Sequence, residues 1–413
     1  MKSFSTFLKE TFLVEEQYLL LCGGNCPVIN RETGKVLASA DRIDMSKVNR
    51  GQLQSHLISL FRVLNTKFQA KNKEPLWRNF EVVTSGRAFN GSSEHFMDKE
   101  ISDEEFREEK KTMGDVDITI PHKYLKPLFA LLADHENQRI TKDFIYLGQN
   151  KKEQHGHQIN AVFQLQEPKI NMQIDFEGTG YTDKDEPDEF AKFSHSSNWE
   201  DVRAGIKGLG HKHLLVNIAR ALSEIKNAVV LTPSSPVEPP EKIKISKSAS
   251  AQMPTNLAFS VDRGVRTKYE PVKNSKGEFV KVDGKQAFRE LSTSDSKYET
   301  NVPAIYTMIF NQKPENEDMS NFRSFSGILR LFKKHNVEKR LIENVFRLMI
   351  DKSFFGRGSQ GTDSKSAEND YQVKMTILNK MIEEFPYLKS ILDSKEKQIR
   401  TYVDNYKTVE KRD

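Results

Sequence analysis

Gly114-Asp115-Val116-Asp117-Ile118 is the segment of this sequence best suited to chemistry. On a β-strand, residues two apart share a face, so Asp115 and Asp117 stand side by side while Val116 and Ile118 turn to the core. Neighbouring carboxylates repel unless a cation lies between them, and Mg²⁺ prefers such hard oxygen ligands. A third acid follows in Ile170-Asn171-Met172-Gln173-Ile174-Asp175-Phe176. There Ile174 and Phe176 face one way, and Asp175 faces the other with Asn171 and Gln173. If that strand neighbours the first, three carboxylates meet at one edge.

Three acids around two metal ions suit in-line attack on a nucleoside triphosphate. One ion activates an acceptor hydroxyl, and the other neutralises the triphosphate and the departing pyrophosphate. In that arrangement Asp115 and Asp117 bridge both ions, while Asp175 holds the acceptor-side ion and can receive the hydroxyl proton. Upstream, Asn90-Gly91-Ser92-Ser93 combines a glycine for close backbone approach with hydroxyl and amide donors for phosphate oxygens.

These residues resemble the DNA polymerase beta-like nucleotidyltransferase superfamily. The matching pieces are Gly91-Ser92, Asp115-Val116-Asp117 and Ile174-Asp175-Phe176, within residues 52–226. The resemblance implies a mixed sheet backed by helices, Mg²⁺ (two ions, with Mn²⁺ able to substitute) and transfer of a nucleoside monophosphate from an NTP. It specifies no acceptor; an RNA or DNA end, a protein hydroxyl or a small molecule would all serve. The spacing departs from the family. The stretch between Ser93 and Asp115 is longer than usual, so residues 98–112 read as a solvated helical insertion, or Gly86 is the true turn. Gly-Ser-Ser, a charged insertion and Gly-Asp-Val-Asp also resemble nucleotidyltransferase-like proteins of tailed phages. Two rivals stand beside an active transferase: an inactive binding or virion-associated protein of the same fold, and a metal-dependent nuclease.

Other signals have ordinary structural readings too. Lys207 and Lys212, in Gly-Ile-Lys-Gly-Leu-Gly-His-Lys-His at a helix start, suit a triphosphate or a nucleic-acid phosphate, and equally an ordinary basic helix face. His155 and His157 lack further ligands nearby. Cys22 and Cys26 form no second pair and cannot staple a chain of 413 residues, which fits a reducing compartment. Arg323, Arg330, Lys333, Lys334, Lys339, Arg340 and Arg347 interleave with Phe325, Leu329, Phe332 and Val345. They read as snorkelling cations of a helical bundle or as a basic groove for nucleic-acid phosphates, extended by Arg357 and Lys365.

The elements that must position the acids follow from periodicity. Gln52–Phe68 places Leu53, Leu57, Leu60, Phe61 and Leu64 on one helical stripe. Phe80–Val83 reads as a strand, Asp115–Ile120 as a strand stopped by Pro121, and Lys123–Asp134 as a helix. Residues 158–165 and 169–177 form a hairpin around Glu167-Pro168, and a helix covers 204–225. Pro233–Pro254 is proline- and lysine-rich and reads as a linker. Residues 257–282 alternate like strands with a turn at Gly277, and helices follow over 325–350 and 373–392, separated by the polar stretch 356–369. An amphipathic helix is expected from Phe4, Phe7, Leu8 and Phe12.

The fold class is therefore α+β. A nucleotidyltransferase-like domain at 51–230 lies between an N-terminal extension (1–50) and a linker (231–256), and a β-rich then helical domain occupies 257–413. Lysine and arginine number 63 against 58 acids, a net charge of +5, too small an excess for a dedicated nucleic-acid coat. No apolar run approaches the ~18–20 residues needed to span a bilayer. The N-terminus, broken by Lys9 and Glu10, does not read as a secretory signal. The expected location is the cytoplasm, that of the host if the chain is phage-encoded.

Overall fold

A computed structural model of the chain describes residues 27–29, 36–149, 158–206, 208–223, 228–231, 256–260, 263–292, 296–355 and 364–401. The N-terminal helix, both cysteines, His155, His157, the linker at 233–254, Arg357 and Lys207 fall outside them. The side chain of Lys365 does too.

Alternation of apolar and polar residues dictates a mixed five-stranded sheet. Its strands are β1 (Asp115–Pro121), β2 (Gln138–Arg139), β3 (Phe144–Gln149), β4 (Gln158–Leu165) and β5 (Ile170–Thr179), in the spatial order β1-β5-β4-β3-β2. β1 and β5 are parallel, and the other pairings are antiparallel. One face carries Val116, Ile118 and Ile120 from β1, Met172, Ile174 and Phe176 from β5, and Ile159, Ala161, Phe163 and Leu165 from β4, all buried in one core. The other face carries the acids and a row of amides. This division is the direct consequence of the two-residue period of a strand.

Helix α1 (Arg50–Asn72) covers the apolar face. It begins at Asn49, whose side chain accepts from the amide of Gln52, and it buries the predicted stripe from Leu53 to Leu64 together with Phe68. Phe61 meets the rings of Phe89 and Phe176 edge-on. A short helix α2 (Glu81–Thr84) follows, where the run Phe80–Val83 was expected to be a strand. Val82 and Val83 are buried from a single helical turn, so the run reports burial and not extension.

Next come α3 (Gly91–Met97) and α4 (Asp103–Glu109). The charged stretch 98–112 is helical in its middle, but it is not simply solvated. Ile101 and Phe106 are buried, and Phe106 stacks on Trp199. Arg50, itself buried, organises this segment by donating to the carbonyls of His95, Phe96, Asp98 and Ile101. After β1, α5 (Leu125–Ala133) occupies the predicted helix and packs Leu128, Leu131 and Leu132 into the same core. The 158–165 and 170–179 hairpin forms as expected, and the Glu167–Pro168 bond is cis.

The described residues divide into two compact units, one over residues 27–208 with 364–373 and the other over residues 209–355 with 374–401. The second contains nearly all of α6 (Gly208–Leu222), and in it the strand Ala228–Leu231 runs parallel to Lys285–Glu290. Small strands between Leu257 and Glu299 precede helices at Val302–Phe310, Asn316–Phe322, Phe325–Lys334 and Lys339–Leu348. Gly277 sits in a turn with positive φ, as the alternation around it requires. The protein is an α+β fold with a C-terminal β-plus-helical region.

Candidate metal centre

The parallel register of β1 and β5 sets Asp117 directly opposite Asp175. Asp115, Asp117 and Asp175 each present a carboxylate oxygen, and the three oxygens lie within 4.8 Å of one another. Asp115 and Asp117 are half-buried, while Asp175 is only 3% exposed. Its burial is among polar groups. Asn160 Nδ2 donates to Oδ1 at 2.8 Å, Gln158 Nε2 donates to Oδ2 at 2.7 Å, and Gln173 Nε2 reaches both oxygens at 2.9 and 3.1 Å. Burial holds the Asp175 carboxyl well above the usual carboxylate range, and the charge of Asp115 pushes it further the same way. Two half-buried acids and a third fixed by amides make an all-oxygen donor set, which fits a hard divalent cation such as Mg²⁺ or Mn²⁺.

The Gly91 turn is joined to this corner. Residues 88–90 run antiparallel along the free edge of β1. Phe89 bridges Ile118, the amide of Thr119 donates to Ala88, and the amide of Asn90 donates to Asp117. Gly91 has φ +57°, and a β-carbon there would stand 3.6 Å from Asp117 Oδ2. Gly86 also has positive φ, but its neighbour is Met97, so Gly91 is the glycine beside the acid pair. Ser92 is half-buried beside it. Ser93 differs from the expected phosphate donor: it is fully buried, and its hydroxyl accepts from the amide of Asp117 at 2.9 Å. Its place is to hold the strand that carries the acids.

Alternation from Asp175 also leads to Glu177, which the sequence reading passed over. Glu177 Oε2 accepts from Asn90 Nδ2 at 2.6 Å and lies 3.3 Å from His195 Nδ1. These buried groups tie the residue before Gly91 to β5. Gln158 and Asn160 were missed as well, although β4 alternation places both on the polar face.

Lys212 is half-buried on α6 in the second unit. In the C-terminal helices, Lys333 pairs with Glu384, Lys334 with Asp318 and Glu315, and Lys339 with Glu343, while Arg330 donates to Asn321. Phe325, Leu329, Phe332 and Val345 are buried beneath them. These features match the helical-bundle reading of that region. No helix among the described residues is long and apolar enough to cross a membrane.

No protein-family model matches the chain, and neither a curated protein nor a solved structure shows significant similarity to it.

Proposed function

We propose that the chain is a metal-dependent nucleotidyltransferase, moving a nucleoside monophosphate from an NTP to an acceptor hydroxyl. The observation that carries this reading is the convergence of Asp115, Asp117 and Asp175 on one cation-sized corner, with Gly91 against Asp117. The resemblance to the polymerase beta-like superfamily agrees with the order of these pieces along the chain, and a mixed sheet backed by helices agrees with its architecture.

Asp115 and Asp117 would be the ligands shared between the metal sites, and Asp175 a ligand on the acceptor side. Bound Mg²⁺ supplies charge neutralisation on the triphosphate and acidifies the acceptor hydroxyl. The chain's own part is positional. Gln158, Asn160 and Gln173 fix the Asp175 carboxylate, and Ser93 fixes the amide of Asp117. The bare backbone of Gly91, with Ser92, leaves room for phosphate oxygens beside the acids.

The purified chain, incubated with α-labelled NTPs, Mg²⁺ and RNA or DNA ends, tests this beside an Asp115→Ala/Asp117→Ala double variant. Label transfer or pyrophosphate release lost in the variant supports the proposal. Equal turnover in both proteins overturns it. Nucleotide release from nucleic acid without NTP consumption would assign the acids to phosphodiester hydrolysis instead.

A further inference from the structure

The chain's positive charge is not spread evenly. Residues 263–292, all in the second unit, hold eight basic against four acidic side chains, an excess of four in a chain whose total excess is five. Two of those acids are committed nearby: Glu270 pairs with Arg289, and Glu290 with Lys268. A third, Glu278, accepts from Asn274 Nδ2 at 2.9 Å. Asp283 occupies the tight turn with Gly284, both at positive φ, that joins Lys281–Val282 to Lys285–Glu290.

At the centre of this segment stands Phe279. Among the described residues the large apolar side chains left exposed are Phe279 and Met308, and Phe279 is the more exposed at 54%. Burial is the default for such a ring. Phe279 bridges Lys273 across the small sheet, so their side chains share a face, and Lys273 Nζ lies 5.2 Å from the ring centroid. Lys281, two residues on along extended backbone, projects to that same face. Lys273, Lys276, Lys281 and Lys285 are all exposed. An aromatic ring held out in water between cations combines the two contacts made by proteins that bind single strands without reading sequence: base stacking and phosphate attraction.

We propose that this hairpin is a binding platform for a single-stranded polynucleotide, with one base stacking on Phe279 and the adjoining phosphates held by Lys273 and Lys281. Charge complementarity selects a polyanion, and the exposed ring selects one with accessible base faces. A duplex hides those faces, and an acidic peptide lacks them. Stacking and phosphate attraction are indifferent to the sugar, so RNA and DNA single strands bind alike. The inference rests on residues outside the acid corner and stands whether or not the chain transfers nucleotides.

The test is fluorescence anisotropy of the full chain with labelled oligouridine, oligothymidine and a duplex of equal length, in the absence of NTP. The expected result is binding of both single strands more tightly than the duplex. Phe279→Ala should weaken it about tenfold with the salt dependence unchanged, while Phe279→Trp retains it. Lys273→Gln and Lys281→Gln should each flatten the dependence of log K on log salt by about 0.7. Wild-type chain that binds no single strand at low salt, an unchanged affinity in Phe279→Ala, tighter binding of the duplex, or equal competition by polyglutamate would each overturn the proposal. Since Phe279 is exposed, its substitution leaves the core intact, and an unchanged melting temperature confirms this.

Discussion

Asp117 and Asp175 are register partners across two parallel strands, so their approach is set by backbone pairing and not by a choice of rotamer. Burial raises the proton affinity of Asp175, and the charges of Asp115 and Glu177 raise it further.

Relief of the repulsion from Asp115 should stabilise the metal-free protein. Asp115→Asn keeps the shape and removes one charge, so its urea midpoint should rise, by about 0.5–1 kcal/mol in stability, while Mn²⁺ binding measured by calorimetry weakens or disappears. Asp175→Asn should behave oppositely. Its new amide would face the amide donors of Gln158, Asn160 and Gln173, at a cost of about 1–3 kcal/mol. Two isosteric changes with opposite signs of stability, both impairing metal binding, are a sharp check on the corner's geometry.

Gly91→Ala should cost about 1 kcal/mol from the left-handed backbone alone. Its methyl would also stand beside Asp117, in the space proposed for phosphate, so NTP affinity should fall by more than stability does. Equilibrium binding of a non-hydrolysable NTP, beside a chemical melt, separates the two effects. Ser93→Ala serves as the contrast: it removes the acceptor of the Asp117 amide and should lower stability by about 1–3 kcal/mol.

Arg50→Lys should destabilise the protein by about 3 kcal/mol or more. A single ammonium cannot reach the carbonyls of His95, Phe96, Asp98 and Ile101 that the guanidinium satisfies together. Amide hydrogen exchange should show the loss first in residues 91–109.

His211 provides a pH dependence away from the acids. Burial lowers its pKa to about 4, and its Nε2 lies 3.1 Å from the Phe322 carbonyl, which accepts its proton in the neutral ring. The unfolded chain takes up a proton near the ordinary histidine value of about 6.5, and the folded chain does not until about 4. Stability is therefore full above about pH 6.5 and falls between there and about pH 4, by about 2 kcal/mol at pH 5. Denaturant melts at pH 7 and pH 5 should differ less by that amount in His211→Gln, whose weaker packing lowers both.

The strands carrying the acids were legible because alternation over Asp115–Pro121 and Ile170–Thr179 states both the extended backbone and the face of each side chain. The same rule applied to Gln158, Asn160 and Glu177 exposes the polar support of the corner. It was obscured because amides announce no chemistry by themselves. Phe80–Val83 misled because three apolar residues in a row of four fit a buried helical turn as well as a strand. Phe144–Gln149 gave no periodic signal, being nearly continuous in apolar residues. The burial of Ile101 and Phe106 depends on Arg50 and Trp199, distant partners that no local pattern names.

The order of strands in the sheet also constrains biosynthesis. β5 is the last of the five to leave the ribosome, yet it lies between β1 and β4. A nascent chain that has emerged through β4 holds Asp115 and Asp117 but no neighbour to complete the corner. The three-carboxylate corner is thus completed by the last strand, and a chain that ends before Asp175 lacks it.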